Sequence, residues 1–229
     1  MLIEGKLMSE EYIKIETLNK FIKKNHVLKN INLSLKKGNI YGFRGPNGSG
    51  KTMLFRVLSG LVKPSYGKVT VGGKHLHRDI SFPENVGILI EYPGFIPEYT
   101  GFANLKLLSM IQNKINDNEI SAVISRVGLD PNDKRKFKKY SLGMKQRLGI
   151  AQAIMEKPDL LILDEPTNAL DEKAVEIVHQ LLVALKNEGK TILIASHDKE
   201  TLQKVSDTIY DIESGEIIKE TIIDRDKEK

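Results

Sequence analysis

Residues 45–52 read Gly-Pro-Asn-Gly-Ser-Gly-Lys-Thr, which fits GxxxxGK(S/T), and the residues on either side supply the setting the pattern needs. Upstream, Ile40–Phe43 is a short apolar run of strand type; downstream, Met53–Ser59 has helical character. Strand, glycine-rich bend and helix in that order make a cradle for a triphosphate. Backbone N–H groups across Asn47, Gly48, Ser49 and Gly50 converge on the phosphates, and the glycines allow conformations closed to other residues. The helix that follows aims its N-terminus at the same place. Lys51 is expected to neutralise the β- and γ-oxygens, and the Thr52 hydroxyl to ligate Mg²⁺.

The second informative stretch is LLILDEP, Leu160–Pro166. Its unbroken apolar start reads as a central strand buried on both faces. Asp164 and Glu165 then stand at the carboxyl end of that strand, where open α/β sheets bind ligands. Neighbouring residues on a strand point in different directions, so the two carboxylates can take separate tasks. Asp164 suits Mg²⁺, directly or through water, and Glu165 suits the water that attacks a γ-phosphate. Alone, the segment is also readable as an acidic turn; the phosphate loop elsewhere in the chain favours the first reading.

Further strand candidates are Tyr12–Glu16, Ile31–Leu35, Lys68–Val71, Val86–Ile90, Thr191–Ala195 and Thr208–Ile212, the last turned back at Gly215 toward Ile217 and Ile218. Alternating with helix-period segments, they describe a parallel sheet covered by helices. From about Tyr92 to Lys157 the strand pattern gives way to helical spacing, at Leu105, Leu108 and Ile111 and again at Ile120, Val123, Ile124 and Val127. The expected organisation over 1–229 is one domain: an α/β core at about 10–91 and 158–220, with a helical subdomain inserted at about 92–157.

Composition narrows the class. The 229 residues are 40% hydrophobic and 28% charged, which excludes disordered and collagen-like chains. With no cysteine, disulfides, thiol catalysis and Cys-ligated zinc are excluded. The net charge of +5 is spread along the chain with both signs interspersed, so no direct contact with nucleic acid is expected. Apolar stretches such as Leu181–Leu185 fall far short of the roughly 20 residues that cross a bilayer. The first residues, MLIEGKLMSEEY, carry acids and lack the apolar core of a leader, so a cytoplasmic location is expected. The charged tail Asp224–Lys229 is expected to fray.

Three more segments, YSLGMKQR (Tyr140–Arg147), NALD (Asn168–Asp171) and ASHD (Ala195–Asp198), complete an ordered set of five. Together they resemble the ATP-binding cassette (ABC) ATPases, the nucleotide-binding subunits of transporters, over about Tyr12–Lys219. The resemblance implies an α/β fold, the P-loop NTPase of ABC type, with a mixed-sheet core and an inserted helical subdomain. It implies ATP and Mg²⁺ as ligands, a second ATP-binding subunit (identical or not), and a separate membrane-spanning permease that holds the chain on the cytoplasmic face of the membrane. By the same resemblance Ser141 and Gly143, at the start of a helix running to about Met155, contact the γ-phosphate held by the second subunit. Asp171 crosses the dimer to align the opposite site. His197 is the switch histidine that bonds the γ-phosphate, and Phe21 is the ring that stacks on adenine. Core packing competes for Phe21, and Tyr12 is an alternative stacking partner. A cytoplasmic ATPase of the same fold acting on nucleic acid or the ribosome is the alternative function.

Some positions depart from the family pattern. The signature LSGGQ is replaced by Tyr140-Ser141-Leu142-Gly143-Met144, which keeps a hydroxyl and a backbone N–H but loses the glutamine. Glu91 stands where the family has glutamine before the helical subdomain, adding a full charge beside metal and phosphate; it counts as a third candidate metal ligand. Arg44 and Met53 replace an apolar and a hydroxyl residue. Glu91 together with YSLGMKQRLGIA resembles the bacitracin and lantibiotic self-protection exporters, which implies export of antimicrobial-peptide or drug-like cargo.

Overall fold

A computed structural model describes residues 11–91 and 93–224. The first ten residues, Tyr92 at the expected subdomain boundary and the tail beyond Asp224 lie outside the described residues. In chain order the strands are β1 (Glu11–Ile22), β2 (Asn25–Lys36), β3 (Ile40–Arg44), β4 (Tyr66–Val71), β5 (Lys74–His75), β6 (Val86–Leu89), β7 (Leu160–Asp164), β8 (Thr191–Ser196), β9 (Thr208–Glu213) and β10 (Glu216–Ile222). The helices are α1 (Lys51–Leu58), α2 (Gly101–Gln112), α3 (Asp117–Arg126), α4 (Leu142–Ile154), α5 (Glu172–Asn187) and α6 (Lys199–Val205).

The strands fall into two sheets, one of order β10-β9-β3-β8-β7-β6 and one of order β2-β1-β4-β5. In the larger sheet β9, β3, β8, β7 and β6 run parallel, and β10 is antiparallel to β9. Strand alternation divides its residues between two cores. Leu161, Leu163, Ile192 and Ile194 face α4 and α5, whereas Leu160, Ile162, Leu193 and Ala195 face α1 and the smaller sheet. This two-sided burial explains why β7 and β8 carry no polar residue before their carboxyl ends, apart from Thr191 at the start of β8.

The smaller sheet was not legible as such. Tyr12–Glu16 and Ile31–Leu35 belong to 12-residue strands that pair antiparallel in a sheet of their own, not to the parallel one. Left-handed backbone at Thr17 and Asn30, with register shifts beside them, interrupts the apolar alternation and hides the strands' true length.

Between β6 and β7 the chain forms α2, α3 and α4, each opened by a side-chain cap from Thr100, Asn116 or Ser141. Ile120, Val123, Ile124 and Val127 are buried as their spacing predicts. Along α2 the prediction holds at Leu105, which is buried, and at Leu108, which packs against the core, but fails at Ile111, which is 78% exposed; Leu107 and Met110 are also exposed. The inward face of α2 uses Asn104 and Ser109 beside Leu105, with Asn104 bonding the backbone of Ile96 and Thr100, so hydrophobicity alone misplaces its buried side. No helix among the described residues is long and apolar enough to cross a membrane.

One close approach joins α4 to the sheet. A Cβ on Gly87 of β6 would lie 1.9 Å from the Ala153 carbonyl oxygen of α4. Gly87→Ala is therefore expected to destabilise the fold by about 1–3 kcal/mol or more, as overpacking of rigid backbone does. Urea unfolding checks this; an unchanged midpoint would mean that α4 shifts freely on β6.

Candidate functional site

The loop after β3 is held from two sides. At its base Arg44 makes a bidentate pair with Asp211 of β9, at 2.6 Å and 2.8 Å. This accounts for a charged residue where a strand would continue apolar: it ties the strand to its neighbour one step before the loop. At its crest the Ser49 carbonyl accepts the Gly215 N–H at 2.9 Å, so the β9–β10 turn leans on the loop. Gly50, at φ +110°, turns the chain into α1, a backbone angle that a side chain would strain. Lys51 is 6% exposed, and its Nζ donates to the carbonyls of Gly45 at 2.6 Å and Pro46 at 3.2 Å, so the ammonium is held in the mouth of the loop.

Strand order places the acidic pair opposite. β3, β8 and β7 are adjacent and parallel, so their carboxyl ends bring Lys51, His197 and Asp164-Glu165 to one edge. Thr52 Oγ1 donates to Asp164 Oδ2 at 2.6 Å. Burial pushes the Asp164 carboxyl above the ordinary aspartate range, and the Thr52 hydrogen bond opposes it. Its second oxygen, Oδ1, is buried without a hydrogen-bond partner. A hydroxyl and a carboxylate with one uncommitted buried oxygen form a hard-oxygen donor set that suits Mg²⁺.

Glu165 points the other way. Its Oε1 accepts the His197 N–H at 3.1 Å, and its Oε2 lies 3.0 Å from His197 Nδ1. The backbone there is left-handed at φ +48°, and it is pinned on both sides: the N–H donates to Ala195 at 2.8 Å and the carbonyl accepts from Gln146 Nε2 at 2.9 Å. Glu165 Oε1 stands 4.0 Å from Lys51 Nζ. The two neighbouring acids thus serve distinct partners, as the strand geometry predicts.

Gln146 was not anticipated. It lies on the buried face of α4, five residues after Ser141, and a polar residue inside an otherwise apolar helical stripe was the available signal. Arg56, also unanticipated, donates to the Glu91 carboxylate at 2.5 Å. Glu91 lines the same cleft as Thr52, Asp164 and Glu165, but its carboxylate is engaged by Arg56.

Of the remaining candidates, Phe21, Ser141, Gly143 and Asp171 do not line this cleft. Asn47 and Gly48 line the cleft, while Ser49 is buried behind it. Phe21, 39% exposed, stacks on His26 with ring centroids 4.0 Å apart, with Tyr66 edge-on. Lys37 Nζ lies 5.6 Å over the Tyr12 ring, and Lys37 precedes β3 whereas the phosphate loop follows it. Ser141 caps α4 through Met144 N–H. A Cβ on Gly143 would lie 3.0 Å from the Ala169 carbonyl oxygen. Asp171 caps α5, accepting from Ala174 N–H at 2.8 Å.

Residues 28–168 match the family described as ABC transporter. An uncharacterized ABC transporter ATP-binding protein of Bacillus subtilis, YybJ, is 52% identical over 205 residues, covering 90% of this chain and 94% of the relative. The lantibiotic transport ATP-binding protein SrtF of Streptococcus pyogenes is 37% identical over 209 residues, covering 91% and 90%. The bacitracin transport ATP-binding protein BcrA of Enterococcus faecalis is 37% identical over 219 residues, covering 95% and 71%. Among solved structures, the dimeric bacterial ABC transporter cassette MJ0796 superposes with a TM-score of 0.85 at 26% identity, covering 93% of this chain and 99% of that one. The mixed α/β architecture is that of ABC ATPase cassettes, and these relatives lend no support to the nucleic-acid or ribosome alternative.

Proposed function

This chain belongs to the ABC transporter family as an ATP-binding subunit, and from that premise we propose that it hydrolyses MgATP to drive an exporter of antimicrobial-peptide or drug-like cargo. The observation that carries the proposal is the meeting of Lys51, the Thr52–Asp164 pair and the Glu165–His197 pair at the carboxyl ends of three adjacent parallel strands. The names of SrtF and BcrA support the choice of cargo class.

The chemistry follows from the side chains. Lys51 exchanges its carbonyl partners for β- and γ-phosphate oxygens, and the N–H groups of the loop and of α1 take the remaining charge. Thr52 and Asp164 would hold Mg²⁺, which would supply neutralisation of charge on the transferring phosphoryl group; Glu91, engaged by Arg56, stands beside them. Glu165, fixed by His197 and Gln146, accepts a proton from a water whose oxygen attacks the γ-phosphorus; the bond to the β-phosphate oxygen breaks, releasing ADP and phosphate. Phe21 offers its free face to adenine, with His26 backing the other.

Two such subunits, identical or not, pair head to tail, with Ser141 and Gly143 of each closing on the nucleotide of the other and Asp171 crossing between them. A separate permease holds them on the cytoplasmic face of the membrane. A slowly hydrolysed ATP analogue is expected to convert the chain from monomer to dimer in sedimentation velocity, and ADP is not. Ser141→Arg, which places a bulky cation at the start of α4, is expected to retain analogue binding while losing the dimer. An undiminished dimer would remove α4 from the interface.

A further inference from the structure

The Arg56–Glu91 ion pair has no part in the chemistry above, yet both residues line the cleft that holds Lys51, Thr52 and Asp164. Arg56 lies four residues after Thr52 on α1, so the two side chains share one helix face. Glu91 arrives from the other side: β6 pairs with β7 in the register Leu89↔Leu163, so the chain beyond β6 runs beside Asp164 and Glu165. Left-handed backbone at Glu91, φ +61°, turns the chain there.

Three carboxylates therefore border a cleft that must admit a polyanion, and each has its own counter-group. Glu165 has Lys51 and His197, Asp164 has the Thr52 hydroxyl, and Glu91 has Arg56. We propose that Arg56 is a positioning residue for Glu91: its guanidinium holds the carboxylate aside from the phosphates and so sets how strongly ATP binding depends on a divalent cation. With the pair intact, the charge on Glu91 is compensated and metal-free ATP meets little repulsion. With Arg56 gone, an uncompensated carboxylate repels metal-free ATP, whereas for metal-loaded ATP the same carboxylate is a free ligand.

The proposal rests on the cleft being the MgATP site, and its test is binding, not turnover. ATP affinity is measured by calorimetry in EDTA and in Mg²⁺ for each variant, and the quantity read is the ratio of the two dissociation constants. Any loss of folded protein lowers the active fraction in both conditions and leaves that ratio unchanged. Arg56→Gln is expected to raise the ratio of the constant in EDTA to that in Mg²⁺ roughly two- to fivefold, the scale of a partly exposed charge pair, and Arg56→Lys to hold it near the original value. In a Glu91→Gln background, Arg56→Gln is expected to leave the ratio unmoved. If Arg56→Gln shifts the ratio equally in both backgrounds, Arg56 touches the phosphates itself and the proposal falls; if both constants change alike, its role is only to support α1. Failure of the site itself reads differently: Lys51→Ala would then still bind ATP.

Discussion

Lys51→Ala is expected to weaken ATP binding by roughly 30- to 5,000-fold, toward the limit of what calorimetry detects. The ammonium is almost fully buried in the mouth of the loop and bonded to the Gly45 and Pro46 carbonyls, so it is already desolvated and aimed where phosphates enter. Truncating one member of a buried, charge-assisted contact costs about 2–5 kcal/mol, much of it from leaving the other charge unmatched. Here the unmatched charge belongs to the triphosphate, and the nearby Glu165 carboxylate, 4.0 Å from Nζ, would add repulsion. The fold should survive, because the loop keeps its anchors at Arg44–Asp211 and Ser49–Gly215. A melting curve near the original, with binding weakened to that extent, is the expected pair of results; unchanged affinity would contradict the assignment of the loop.

The positions that sequence predicted well are those where one residue type is forced by local chemistry. The phosphate loop needs glycine and lysine in fixed order, and a strand buried on both faces needs an apolar run that ends in charge only where the sheet meets a ligand. α4 runs from Leu142 to Ile154 with Ser141 as its cap, close to the predicted span, because a hydroxyl cap and a helical apolar stripe coincide there. What stayed hidden depends on partners distant in sequence. Gln146 and Glu165 are 19 residues apart and Arg56 and Glu91 are 35 apart; neither pair follows from any local period. The smaller sheet was missed for the converse reason. Its strands carry left-handed residues that local alternation reads as breaks but that cross-strand pairing accommodates.

Arg44 shows the same limit from another side. In sequence it is an intrusion into a strand, and it makes sense only beside Asp211, which the parallel register of β3 and β9 sets directly opposite. α2 gives the opposite case, an apolar spacing that local reading places in the core but that leaves Ile111 in solvent. Periodicity finds a helix; which side of it is buried depends on neighbours such as Ile96, whose backbone groups require a polar partner at Asn104.

Glu165→Gln is expected to preserve ATP binding and to slow phosphate release by roughly 10²–10⁴, the scale of losing a positioned general base. The substitution separates charge from shape. An amide oxygen can still accept the His197 N–H, and the backbone anchors at Ala195 and Gln146 do not involve the side chain, so the strand end keeps its form. What disappears is the basic oxygen beside His197 and the negative charge near Lys51. Removing that charge lowers repulsion of the γ-phosphate, so affinity should hold or rise while turnover falls. A variant in which both fall together would indicate damage to the site and not loss of a base. Single-turnover phosphate release against ATP affinity in the same preparation makes the distinction. Unchanged release would assign the proton to another acceptor and reduce Glu165 to a bracket for His197. His197→Ala then becomes the informative comparison: it removes the ring but keeps the backbone N–H on Glu165, so a smaller loss than that of Glu165→Gln identifies the carboxylate as the base and the imidazole as its guide.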